Sequence, residues 1–404
     1  MKKILFYIFL NCLITLFFSF VHFAKGQPAQ GFQLIKLNRS ISYSKLDTLT
    51  KQALLVWDNY LLNKSNDNFI KFNWSKEEQD FIGAQCSLRF KYIDYSASRN
   101  LYNYYKPVVL SITKYGSQFK IKTAFYRIEN NSDVPYITDI VNNWVVVEDG
   151  RLVLQSDFLN NLKRMVCQKT DHLEIYSLNS IDKYILKGLD SINLAVSTFY
   201  NMSPLNVKYC ATNSIDDYQR LRGYDYELTM FMSTSDGKPQ QGALSEMANN
   251  LIFNGSLNTT ENFAHELCHI YTYRSFGNNT EYLPYHNFLN EGLSTYLGGT
   301  TGKSLNYLLG QLYKETKSNT YKFDFTNLLD NSVGVGKEDA NLVYIIGGLV
   351  CKLVYEKYGF LGINRLFKVS NSDELLYKAI EDILGVKREN LNRFIHDELK
   401  KHAQ

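Results

Sequence analysis

Apolar positions recur along this chain in three rhythms, and each predicts a different element. The first is an unbroken run from Ile4 to about Ala24, preceded by Lys2 and Lys3. Its length approaches that of a membrane span. However, Ala24 and Gly26 put small residues at the −3 and −1 positions of a cleavage site before Gln27. Residues 1–26 therefore read as an export signal in preference to an uncleaved anchor. No later stretch is apolar for long enough to span a bilayer. The expected product is an exported protein, periplasmic or extracellular, with no membrane span in the mature chain.

The second rhythm is strict alternation. In "QFKIKTAFYR", Phe119, Ile121, Thr123 and Phe125 share one face and lysines take the other, which predicts a half-buried strand. "NNWVVVEDGRLVLQ" predicts two strands joined around Asp149-Gly150, a hairpin signal. The third rhythm is helical. "LDTLTKQALLVWDNYLLNK" places Leu49, Ala53, Leu54, Trp57, Tyr60 and Leu61 along one side. Residues 180–202 do the same through Ile185, Leu189, Ile192, Ala195 and Phe199. "ELTMFMS" and "NNLIFNG" read as further strands, and helical spacing dominates from Thr259 onwards. The predicted fold class is α+β. A mixed accessory domain, of cystatin-like or similar form, covers residues 27–172, and a mainly helical domain with a small sheet covers residues 173–404.

Composition narrows the function. With 45% apolar and 14% aromatic residues the chain can bury large cores, and a net charge of +4 without a basic block predicts no nucleic-acid partner. Five cysteines follow the signal: Cys86, Cys167, Cys210, Cys268 and Cys351. Their odd number and the lack of any CxxC argue against a cysteine metal site, while a Cys86–Cys167 bridge stays open. Nothing in the pattern specifies an oligomeric state.

Chemistry concentrates in "FAHELCHIYT". Asn258 as N-cap and Glu261 in the capping-box position predict a helix entering there and running to about Phe276, stopped by Gly277-Asn278. Positions four apart on a helix differ by about 40°. His265 and His269 thus share a face and can offer two imidazole nitrogens to one ion. Glu266 lies to the side, suited to take a proton from a metal-bound water. Cys268 falls about 100° from His269 and is expected in the core. A catalytic zinc needs a third ligand and one open position. Glu291 in "NFLNEGLSTYLGG" is the candidate, early on a second helix beginning near Asn287 and flanked by Leu289, Leu293, Tyr296 and Leu297. "NNLIFNGS" is either an edge strand that could pair with an extended peptide or an interior strand.

"HELCH" and "LNEGLSTYL" together resemble the gluzincin metallopeptidases, the clan of thermolysin and of zinc aminopeptidases whose glutamate segment commonly reads LNEGFASY. The nearer relatives implied are secreted bacterial proteins with a peptidase-MA-like domain. The resemblance implies a thermolysin-like second domain, Zn2+ held by His265, His269 and Glu291, and Glu266 as general base. It also implies a tyrosine that steadies the tetrahedral intermediate. Tyr344, followed by Gly347, has the matching offset in "NLVYIIGGLVCKLVYEKYG", and Tyr355 is the alternative. Two departures stand out. Thermolysin has an Asp, supporting a histidine, where this chain has Thr295, and "GALSEMANN" echoes an aminopeptidase segment with Glu246 displaced. The expected activity is hydrolysis of a peptide or protein substrate. The alternative is a non-catalytic secreted zinc protein that serves binding or surface assembly.

Overall fold

The computed structural model describes residues 32–63, 73–82, 106–128, 134–231, 237, 240–256, 260, 262–277, 287–317, 323–327, 333–336, 339–369 and 372–402. The chain is α+β, built on two large sheets, with a two-stranded ribbon of Gly334–Val335 and Ala340–Asn341 beside them. The first follows the order β1 (Lys36–Leu37), β2 (Lys106–Tyr115), β3 (Gln118–Ile128), β4 (Pro135–Glu148) and β5 (Arg151–Ser156), antiparallel except for β1 with β2. Phe119, Ile121, Thr123 and Phe125 are all buried against helix α1 (Thr48–Asn63), as the alternation predicts. Thr123 belongs on this apolar face because Trp57 Nε1 of α1 donates to its hydroxyl at 3.0 Å. β4 and β5 meet at Asp149 (φ 50°) and Gly150 (φ 75°), the conformation of a two-residue hairpin turn. Beyond that hairpin, Ser156 is hydrogen-bonded by buried Glu78 of α2 (Lys76–Ile82) as the chain enters α3 (Asp157–Leu162).

The second sheet has the order β10 (Gly242–Glu246), β11 (Leu251–Gly255), β8 (Val207–Thr212), β7 (Leu173–Ser177) and β6 (Val166–Lys169). Its inner pairs are parallel and its two outer pairs antiparallel. α4 (Lys183–Phe199) carries the chain between β7 and β8, and α5 (Ile215–Leu221) follows β8. The buried positions of α4 include Leu189, Asn193 and Val196, while Ile185 and Ala195 face solvent. The stripe rotates from the predicted one because Asn193 is drawn inward, accepting from Tyr271 Oη at 2.6 Å and donating to the Leu205 carbonyl.

"NNLIFNGS" is interior, since β11 pairs on both sides, and the edge is β10. Among the described residues of "ELTMFMS", Glu227 is in a strand and residues 228–231 form turns. That strand, β9 (Tyr224–Glu227), joins the first sheet beside β4, whereas β6, from before residue 172, pairs in the second. Cys210, Cys268 and Cys351 are buried free thiols and Cys167 is exposed. Cys86, and the bridge considered for it, lie outside the described residues, as does the export signal. Among the described residues no helix is long and apolar enough to cross a membrane.

Helices α6 (Phe263–Phe276), α7 (Asn287–Gly298), α8 (Leu305–Lys317), α9 (Leu342–Phe367), α10 (Asp373–Leu384) and α11 (Leu391–Lys400) build the rest of the second core. Phe263, Leu267, Cys268, Ile270 and Tyr271 of α6 are fully buried in it. Tyr200 Oη contacts Thr272 Oγ1 at 2.7 Å and Tyr271 Oη accepts from Leu205 N, so α6 is tied to α4 and the loop that follows it. Arg274 donates to the Ala248 carbonyl and to Asn250 Oδ1, which fixes α6 against the turn between β10 and β11.

Candidate metal centre

α6 begins at Phe263 with Asn262 in the left-handed region (φ 61°) and no side-chain cap; Asn258 and Glu261 lie outside the described residues. His265 and His269, one turn apart, bring their rings to 4.9 Å between centroids. α7 delivers Glu291 to the same point. Its Oε2 lies 3.3 Å from His265 Nε2 and 3.6 Å from His269 Nε2, and the ligand atoms of the three residues all fall within 4.8 Å of one another.

Two close backbone contacts make this convergence possible. A Cβ on Gly298 would come within 2.2 Å of His265 N, so the end of α7 packs directly on the first turn of α6. A Cβ on Gly292 would come within 2.4 Å of the Gly347 carbonyl carbon, and one on Gly347 within 2.4 Å of the Phe288 oxygen. α7 and α9 thus cross with backbones touching. Gly292 follows Glu291 directly and Gly347 lies one turn after Tyr344, so the crossing places Tyr344 over His265, with ring centroids 6.4 Å apart and nearly parallel.

The far nitrogens of both imidazoles are fixed. His265 Nδ1 donates to the Gly299 carbonyl at 2.7 Å, an oxygen that can only accept. His269 Nδ1 lies 3.0 Å from Asn290 Oδ1 and 3.1 Å from Ser294 Oγ. In the neutral rings both Nε2 atoms are then bare, and they face a carboxylate. Three acceptors converge with no donor between them, an arrangement that requires positive charge. Burial alone would lower the His269 pKa, but the Glu291 charge outweighs it and pushes it up to about 9. Burial would raise Glu291, but the two imidazoles hold it well below the usual carboxylate range. Two imidazoles and one carboxylate, with their outer partners in place, fit a zinc ion with one coordination position left open.

Glu266 is buried at the rim, and among the described residues no group donates to its carboxylate. It lines a cavity of about 410 Å3 together with His265, His269, Glu291 and Tyr344. The same cavity is walled by Gly242 to Ser245 of the edge strand β10 and by Thr300 and Thr301. Burial, then the charges of Glu291 and Glu266, push the Tyr344 phenol far up, so it keeps its proton and can donate. Tyr355 sits elsewhere, packed on Phe199 at 4.6 Å and Tyr296 at 6.1 Å.

Asn290, Ser294 and the Gly299 carbonyl, which hold the two imidazoles, are not among the site residues predicted from "HELCH" and "LNEGLSTYL". Asn290 stands next to Glu291, which was the available signal, but a backbone carbonyl carries none. Thr295, where thermolysin has its supporting Asp, has a buried hydroxyl without a partner among the described residues. Glu246 is 4% exposed and paired with Arg222 at 3.1 Å, and is not a cavity residue. His286 lies outside the described residues; His172 rests against Asp190 and His396 against Tyr313, and neither lines the cavity.

No family model matches the chain, and no curated protein does. A solved structure described as a polyketide cyclase from Bacillus cereus is similar over 32% of this chain and 84% of its own, at 12% identity. Its TM-score of 0.18 is too low for the likeness to bear on fold or function.

Proposed function

We propose that the chain is an exported zinc metallopeptidase of the gluzincin type, in which the second half forms a thermolysin-like catalytic domain and the first an accessory module. The observation that carries this reading is the single cavity shared by His265, Glu266, His269, Glu291, Tyr344 and an edge strand. His265, His269 and Glu291 would hold a zinc ion, which when bound would supply Lewis acidity to a carbonyl and to water. An extended peptide adds to β10, whose outer backbone edge has no strand partner among the described residues, so recognition makes little demand on side chains. Glu266 accepts a proton from the attacking water and passes it to the leaving amine. Tyr344 donates a hydrogen bond to the developing oxyanion, a contribution of about 10²–10³ in rate.

The test is Glu266→Gln assayed on a mixed peptide library. Loss of about 10²–10⁴ in kcat/KM with zinc still bound is expected. Native turnover in that variant would refute the mechanism. Zinc retained by a wild-type protein that cleaves nothing would instead identify a binding or surface-assembly protein.

A further inference from the structure

Seven described residues other than glycine have positive φ, and five of them are Asn or Asp, the types that adopt it most readily. Thr301, at φ 50°, is one of the two exceptions. It forms with Gly302 (φ 69°) the tip of a two-residue hairpin. Thr300 N donates to the Lys303 carbonyl at 3.0 Å, and Lys303 N to the Thr300 carbonyl at 2.9 Å. Asn-Gly makes such a turn without strain, whereas a β-branched residue there is an outlier. Backbone strain of this kind clusters at ligand-contacting sites. Here it falls on the candidate cavity, which Thr300 and Thr301 both line. The other side of the hairpin, through Gly302, Lys303 and Ser304, borders a second cavity of about 410 Å3. The turn is therefore a thin partition. It is anchored to the metal centre at its base, where the Gly299 carbonyl accepts from His265.

We infer that Thr301 is a specificity-determining residue: the hairpin presents its side chain as a wall that limits the size of the substrate side chain beside the scissile bond. The identity of the ligand and the zinc that anchors it rest on the peptidase reading, whereas peptide turnover does not enter the wall. Thr301→Gly keeps the turn, because Gly-Gly suits it, and takes the wall away. Thr301→Asn relieves the strain, because Asn accepts the left-handed conformation, and keeps a side chain in place.

The experiment measures binding of N-acyl alanine and phenylalanine hydroxamates, which chelate zinc without needing turnover, to the zinc-loaded mature chain by calorimetry. Cleavage of N-acetylated, C-amidated peptides carrying the same two residues is followed in parallel. The phenylalanine-to-alanine affinity ratio is expected to rise about tenfold in Thr301→Gly and to stay near the wild-type value in Thr301→Asn. An unchanged ratio in Thr301→Gly, or an equal rise in both variants, overturns the wall. A shifted ratio in a protein that cleaves no peptide supports the wall and overturns the peptidase reading. Failure to take up zinc overturns both.

Discussion

Glu78 is a buried carboxylate and Glu291 a half-buried one, and their neighbours push them in opposite directions. Glu291 faces two imidazoles and is held low. Among the described residues no cation pairs with Glu78; burial raises it to about 7, although Ser156 donates to it through both backbone and hydroxyl. A raised carboxyl means that the native state binds a proton which the unfolded chain, with a pKa of about 4.3, has released. Its contribution is therefore fully present below about pH 4.3 and is lost as pH rises through about 7, a fall of roughly 2–4 kcal/mol. Glu78→Gln keeps an acceptor for Ser156 and cannot ionise. Urea denaturation at pH 5 and pH 8 should show the wild type losing stability across that interval more steeply than the variant. At the proposed metal centre, Asn290→Ala should weaken zinc binding by about 10–100-fold, read by competition with a chelating dye, because it frees the His269 ring. Legibility in the sequence divides along chemical lines here. His265, His269 and Glu291 are distinctive side chains at meaningful spacings, whereas the Gly299 carbonyl that orients His265 is an atom every residue possesses.

Among elements, the α7–α9 crossing has the clearest consequence. Gly347→Ala would force a methyl to within 2.4 Å of the Phe288 oxygen, so the helices must separate. A cost of about 1–3 kcal/mol is expected, with Tyr344 moved off His265. Gly188 in α4 is the control. A Cβ there meets nothing within 4 Å, so Gly188→Ala should stabilise by about 0.5–1 kcal/mol. Opposite signs in thermal melts of the two variants would identify contact, not helix propensity, as the cause. The hairpin at Asp149-Gly150 and the alternation through Phe125 were legible because they are local. The edge position of β10 was not. Strand order in the second sheet departs from chain order, and "LIFNG" is more apolar than "GALSE" because it is buried on both sides. Periodicity separates buried from exposed faces, but it does not say which strand has only one neighbour.

At the scale of the whole molecule, Arg222 is a stitch between the two sheets, which β6 and β9 join from opposite sides of residue 172. Its guanidinium lies 5.5 Å from the ring centres of Tyr224, in β9 of the first sheet, and Phe253, in β11 of the second. It donates to Gln219 Oε1 at 3.0 Å and to Glu246 Oε1, at the end of the cleft's edge strand. The ion pair is almost wholly removed from water, with 4% and 3% of the two side chains exposed. Removing one member of such a pair leaves the other charge buried, whereas replacing both by apolar groups of similar size is often neutral or better. Arg222→Met should therefore cost about 3–5 kcal/mol, and adding Glu246→Leu should recover most of it. Because Arg222 touches both sheets, the single variant should lower the melting temperature of the whole chain in one transition, followed by circular dichroism. Two separated transitions in the wild type would mean that the accessory sheet folds independently. A double variant no more stable than the single one would mean that Arg222 acts through Tyr224 and Phe253, by packing, and not through Glu246.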